Sequence, residues 1–244
     1  MNLAVDIGNT STKIALYEGS AIIRKERLKS PDTGSVSSFI GKKSVSRVII
    51  SSVNHDPSAL MNFFRATGAA VHLLSCKSRY PFTIAYETPE TMGVDRLAAA
   101  AGAFLHHPGA NLLVIDAGSA LTLDVVVDGS FLGGSISPGL SMRFRALHEF
   151  TGRLPLTDIS NNFSFPGRST KDAITGGVVM GLVFEINEYI RTFEKRHEKL
   201  VTVITGGDSE IITSFTERKI FLHPDLVTDG LNYLLDYNVQ DQKV

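Results

Sequence analysis

The sequence predicts an α/β protein in which one supersecondary unit is used twice, with central sheets covered by helices. Two observations carry this. Strand-like apolar runs alternate along the chain with segments of helical periodicity. In addition, "LAVDIGNTSTKIALYEGS" at 3–20 returns as "LVIDAGSALTLDVVVDGS" at 113–130, an offset of 110 residues. At that offset Leu3 meets Leu113, Asp6 meets Asp116, Gly8 meets Gly118, Thr12 meets Thr122, Gly19 meets Gly129 and Ser20 meets Ser130. Lys13 meets Leu123, so the copies share a fold but only one carries a cationic turn.

Taken in order, residues 2–7 and 12–18 form a hairpin around Gly8 to Ser11. "RVIISSV" at 47–53 is a buried strand, 57–68 a helix stopped by Gly68, and 70–75 another strand. A helix then runs to residue 105 and closes at His106 and His107. Pro108 and Gly109 stop and turn the chain, which divides it into halves 1–108 and 109–244. The second half repeats the hairpin over 112–127 and adds a strand at 130–136. A helix follows over 137–151, with Ser137 as N-cap and Pro138 in the first turn. Apolar residues at 174, 178, 182, 186, 189, 190 and 193 give 169–199 helical spacing, and Gly177 and Gly181 offer that helix a close-packing face. Strand 200–205, Gly206-Gly207, a short helix and "DGLNYLLDY" complete the chain.

Composition excludes several classes. With 24 Lys plus Arg against 25 Asp plus Glu there is no basic excess for a nucleic-acid partner. The one cysteine, Cys76, rules out an intrachain disulfide, and the seven His residues show no metal-ligand spacing. The most apolar run, 97–104, falls well short of the roughly 20 residues that span a bilayer, and the chain opens directly into a strand. A cytoplasmic enzyme without a membrane segment is expected.

The opening turn offers chemistry. Backbone N–H groups, hydroxyls and Lys13 converge after a buried strand and suit phosphate oxygens, while Asp6 can hold Mg²⁺ through oxygen. Asp, Asn, Gly and Ser also build plain hairpin turns, and one such turn would not decide between the readings. The same holds for Asp95, base or helix cap, and for Arg96, carboxylate fork or solvated first-turn neighbour. Tyr86 beside Pro89, Thr170 in a capping arrangement with Ser169 and Asp172, and Asp116 as a turn residue have equally plain alternatives.

"DIGNTSTK" and "IDAGSALTLD" resemble the two phosphate motifs of the actin, hexokinase and sugar-kinase superfamily, with "VITGGD" at 203–208 in place of its adenosine segment. "YETPETMGVDRLAAAAGA", "FLGGSISPGLSMRFRALHEFTGRLP" and "GRSTKDAITGG" further resemble the type III pantothenate kinases. The resemblance implies two ribonuclease H-like, actin-like ATPase domains, each a mixed sheet flanked by helices, with ATP in the cleft between them. It implies phosphorylation of the pantothenate hydroxyl to 4'-phosphopantothenate, the first step of coenzyme A synthesis.

By the same resemblance Asp6, Ile7, Gly8, Asn9, Thr10, Ser11, Thr12 and Lys13 hold the ATP phosphates, with Ser119 touching ATP. Tyr86, Gly93, Val94, Asp95, Arg96 and Thr170 line the pantothenate pocket, with Asp95 as the base. Asp116 takes K⁺ or NH₄⁺, and a homodimer is expected. The family usually has Thr where Ser119 stands; Ser keeps the hydroxyl but loses the methyl. Two alternatives stay open at this point: another small-molecule kinase of the superfamily, and a non-catalytic nucleotide-binding regulator.

Overall fold

The computed structural model describes residues 1–53 and 55–239; positions 240–244, the tail of the second half as cut at residue 109, lie outside them. In chain order the elements are β1 (Asn2–Ile7), β2 (Thr12–Glu18), β3 (Ala21–Leu28), α1 (Thr33–Ile40), β4 (Arg47–Ser52), α2 (Ser58–Ala66), β5 (Ala70–Leu73), β6 (Thr83–Ile84) and α3 (Val94–His106). They continue with β7 (Asn111–Ala117), β8 (Ala120–Val127), β9 (Ser130–Pro138), α4 (Leu140–Glu149), α5 (Thr170–Glu194), β10 (Leu200–Thr205), α6 (Ser209–Phe215), β11 (Phe221–Leu222) and α7 (Leu226–Asn238). Two compact units result: residues 1–109 with 129–131 and the described residues from Asp225 on, and residues 110–128 with 132–224. The C-terminal helix, which a cut at 109 assigns to the second half, thus packs within the first unit.

In the first unit the strand order is β3-β2-β1-β4-β5. β1 runs antiparallel to β2 and parallel to β4, and β4 is parallel to β5. Because β1 is central, both its faces are buried, which is why it reads as an almost unbroken apolar run. Leu3, Val5 and Ile7 join Ile14, Leu16, Val48 and Ile50 beneath α1 and α2. Side chains alternate, so Asn2, Asp6 and Tyr17 point to the opposite face. There α7 is anchored by Asn2 Nδ2 donating to Asn232 Oδ1 (2.9 Å) and Tyr17 OH donating to Asp229 Oδ1 (2.8 Å). α3 meets α7 backbone to backbone: a Cβ on Gly102 would lie 2.1 Å from the Leu226 carbonyl oxygen, and one on Gly230 1.9 Å from that of Ala98.

The second unit repeats this order as β11-β10-β7-β8-β9. β7 is antiparallel to β8 and parallel to β10, and β10 is parallel to β11. Leu113, Ile115, Leu121 and Leu123 pack beneath Leu140 and Phe144 of α4, Val179, Leu182 and Ile186 of α5, and Ile212 of α6. By length and composition α5 could cross a membrane, but half of its most apolar window is buried within the unit, as expected of a core helix. Counting unbroken apolar runs overlooked it, because Gly, Thr and Glu interrupt the pattern.

Three sequence expectations need correction. The repeat does not keep one offset. Asp6 stands opposite Lys13, whereas Asp116 stands opposite Thr122, so the first turn is one residue longer and the structural offset after it is 109. Lys13 therefore corresponds to Thr122 rather than Leu123, and Gly19 (φ 60°) to Asp128 (φ 48°), a residue type that tolerates the left-handed region. Next, Ser137 and Pro138 do not begin a helix. β9 continues through Pro138, Gly139 is the N-cap of α4, and Ser137 Oγ donates instead to Glu185 Oε1 (2.7 Å). Last, Gly177 and Gly181 do not pack closely within the chain: both are exposed, and a Cβ on either meets nothing within 4 Å.

Candidate functional site

The first turn closes through Gly8 N–H donating to the Ser11 carbonyl (3.2 Å), and a Cβ on Gly8 would crowd that same oxygen at 3.3 Å. Asn9 and Thr10 are exposed at its tip. Ile7 and Thr12 turn their side chains inward, so only their backbone faces the turn. Lys13 lies across the ladder from Asp6 and shares its face of the sheet. Asp6 is 6% exposed and accepts a hydrogen bond from Ser51 Oγ at 3.1 Å. Sequence reading missed Ser51; its only signal was a hydroxyl pair ending an otherwise apolar strand.

The second turn is held from two sides. Gly139 N–H donates to the Ser119 carbonyl (3.2 Å) and Asp208 N–H to the Ala117 carbonyl (3.0 Å). Both approaches exclude a side chain, since a Cβ on Gly139 would lie 2.3 Å from the Gly118 oxygen and one on Gly206 2.4 Å from that of Ala117. The Gly206-Gly207-Asp208 stretch is thereby set against the turn that carries Asp116 and Ser119. Asp116 is half-buried and Ser119 exposed.

At the start of α3 the N-cap is Gly93, not Asp95. Asp95 Oδ1 accepts from the Arg96 N–H at 2.9 Å, and a Cβ on Gly93 would lie only 2.4 Å from that oxygen. Glycine is what leaves the Asp95 carboxylate room beside Val94. Arg96 is not a solvated neighbour: it is 6% exposed, and its guanidinium sits 5.8 Å from the Tyr86 ring centroid, within cation–π range. Tyr86, Gly93, Asp95 and Arg96 thus form one cluster in the first unit.

Thr170 belongs to the second unit. It is exposed at the first position of α5, where Ser169 provides the cap by accepting from Asp172 N–H (3.1 Å). It borders a groove of about 890 Å³ whose walls include Leu147, Phe150, Leu154, Ile174 and Val178.

Among the described residues no group of three or more His, Cys, Asp or Glu could hold a metal ion. Asp6 and Asp116 each offer one carboxylate at a strand end. One carboxylate suits a cation that arrives with phosphates or water, as Mg²⁺ usually does, better than a cage built by protein alone.

Residues 2–192 match the family model for type III pantothenate kinase. A protein of that name from Porphyromonas gingivalis is 39% identical over 242 residues, covering 98% of this chain and 99% of its own length. One from Christiangramia forsetii is 35% identical over 241 residues, with 98% and 99% covered. Among solved structures, a ROK family glucokinase from Streptomyces griseus in complex with glucose and AMPPNP superposes with a TM-score of 0.56 at 12% identity, covering 96% of this chain and 98% of that one. The likeness is one of fold, and it agrees with two mixed sheets flanked by helices.

Proposed function

We infer the roles of the site residues from one premise: the chain belongs to the type III pantothenate kinase family. It transfers a phosphoryl group from ATP to the hydroxyl of pantothenate, the first step of coenzyme A biosynthesis. The observation that supports our assignment of the substrate end is the burial of Arg96 beneath Tyr86, next to Asp95.

Phosphoryl transfer asks for positioning and charge neutralisation more than for covalent chemistry. In our reading the turn from Gly8 to Ser11, closed by the Gly8 N–H and carrying the Thr10 and Ser11 hydroxyls, holds the phosphates together with Lys13, and Ser119 adds a hydroxyl to the nucleotide. Mg²⁺ bound with ATP would neutralise phosphate charge, and the buried Asp6 is the carboxylate suited to it. Asp116 fits a monovalent cation, K⁺ or NH₄⁺. Arg96 presents a planar fork to the pantothenate carboxylate, and its confinement under Tyr86 lowers the entropy lost on binding. Asp95 accepts the proton of the attacking hydroxyl, Gly93 and Val94 flank it, and Thr170 is assigned a contact with the substrate. A cytoplasmic homodimer acting on a small molecule, without nucleic acid or membrane, completes the proposal.

The test is ADP release from MgATP with and without pantothenate, in potassium and in sodium buffer. Turnover that requires both pantothenate and potassium supports the reading. ATP binding without pantothenate-dependent ADP release would overturn the substrate assignment, and equal turnover in the two buffers would overturn the role given to Asp116.

A further inference from the structure

We propose that Ser51 is a positioning residue for the phosphate turn, its hydroxyl fixing the Asp6 carboxylate in the orientation that receives nucleotide-borne Mg²⁺. The proposal rests on the assignment of Asp6 to that ion. Asp6 and Ser51 are register partners in the parallel β1–β4 ladder, so backbone pairing sets their Cα positions and both side chains share one face. Ser51 is 0% exposed, and its Oγ donates to Asp6 Oδ1 at 3.1 Å. A polar group this deeply placed needs hydrogen-bond partners around it, and Ser51 supplies one. The serine bond occupies one acceptor direction on Oδ1 and restrains rotation of the carboxylate.

Two comparisons within the chain argue against a mere by-product of the fold. The adjacent Ser52 donates to the His55 carbonyl at 2.6 Å and closes a loop. In the second unit Thr205 holds the equivalent register, paired with Asp116, yet its Oγ1 donates to the Pro224 carbonyl at 3.3 Å. The hydroxyl at this strand end is therefore directed differently in the two copies.

The experiment is calorimetric binding of AMPPNP to the full chain, with and without Mg²⁺, for the native protein, Ser51→Ala, Ser51→Thr and Asp6→Asn, each checked for an unchanged thermal midpoint without nucleotide. We expect Ser51→Ala to bind metal-free AMPPNP like the native protein but to lose about tenfold of the affinity gained on adding Mg²⁺, the lower end of the effect of removing a residue that orients a metal ligand. Ser51→Thr, which retains the donor, should restore the gain. A full Mg²⁺ gain in Ser51→Ala, or an equal loss with and without Mg²⁺, would overturn the proposal. Asp6→Asn separates the two levels: if it abolishes the gain while Ser51→Ala does not, only the positioning role fails, and if it leaves the gain intact, the assignment of Asp6 fails first.

Discussion

Lys13 stands directly across the β1–β2 ladder from Asp6, and the residue in the same place across from Asp116 is Thr122. One extra residue in the first turn accompanies a cation beside the strand-end carboxylate, and the shorter turn lacks it. If the first turn holds the phosphates, Lys13→Met removes charge stabilisation made where negative charge accumulates. We expect kcat/KM for ATP to fall by about a hundredfold, the usual scale for losing one preorganised electrostatic group. Steady-state kinetics at saturating pantothenate measures it, and a change of under threefold would take Lys13 out of the site.

Asp95→Asn preserves shape and removes the proton acceptor. Turnover should fall by about 10²- to 10⁴-fold while ATP binding stays near native, because loss of a general base acts on the chemical step. Single-turnover kinetics with calorimetric ATP binding distinguishes this from misfolding; a proportional loss of both would mean that Asp95 holds the start of α3 together.

Arg96 and Tyr86 should separate binding from rate. Arg96→Lys keeps the charge but loses the planar fork and its seat under the ring, so KM for pantothenate should rise by about tenfold or more with a smaller change in KM for ATP. Tyr86→Phe keeps the ring and should stay close to native, while Tyr86→Ala should resemble the Arg96 variant. Equal effects on both substrates would count against a carboxylate-binding role.

Much of this architecture was legible because two-sided burial writes itself as apolar runs: β1, β4, β7 and β10 all read as strands, and the glycine turns marked both hairpins. β3 and α1 gave no such signal. β3 is an edge strand whose "RKER" is exposed, and α1 is rich in Ser, Gly and Thr, which favour helices weakly. The register slip was hidden by coincidence, since Thr12 with Thr122 and Gly19 with Gly129 match in type while lying one residue apart in structure. The burial of Arg96 had no signature in the residues beside it, and the Ser51–Asp6 bond arises from a parallel pairing between residues 45 apart in sequence, so it had none either.

The meeting of α3 and α7 is equally non-local and can be tested by adding one methyl group. Gly102→Ala and Gly230→Ala each place a Cβ within 2.1 Å of a backbone oxygen, where no flexible side chain can yield. Overpacking of this kind costs about 1–3 kcal/mol, and a contact with rigid backbone belongs at the upper end. Denaturant unfolding should show that loss for both variants. Gly177→Ala provides the contrast: its Cβ meets open space and alanine favours helix, so the isolated chain should be unchanged or slightly more stable.

His72 gives the fold a dependence on acid that is separate from the site. Its Nε2 lies 2.8 Å from Ser78 Oγ, and burial holds its pKa below the ordinary imidazole value. The native protein therefore keeps His72 neutral at a pH where the unfolded chain, with a pKa near 6.5, has begun to bind a proton. Extra proton uptake by the unfolded state means that stability rises with pH in this window. The contribution is complete above about pH 6.5 and is lost as pH falls through that value toward the depressed native pKa. His107, also depressed by burial and then by His106, acts in the same direction. Between pH 7.5 and pH 5.5 the thermal midpoint of the native protein should fall more steeply than that of His72→Gln, because Gln can still bond Ser78 but takes up no proton. Parallel curves would show that acid sensitivity in this range arises elsewhere.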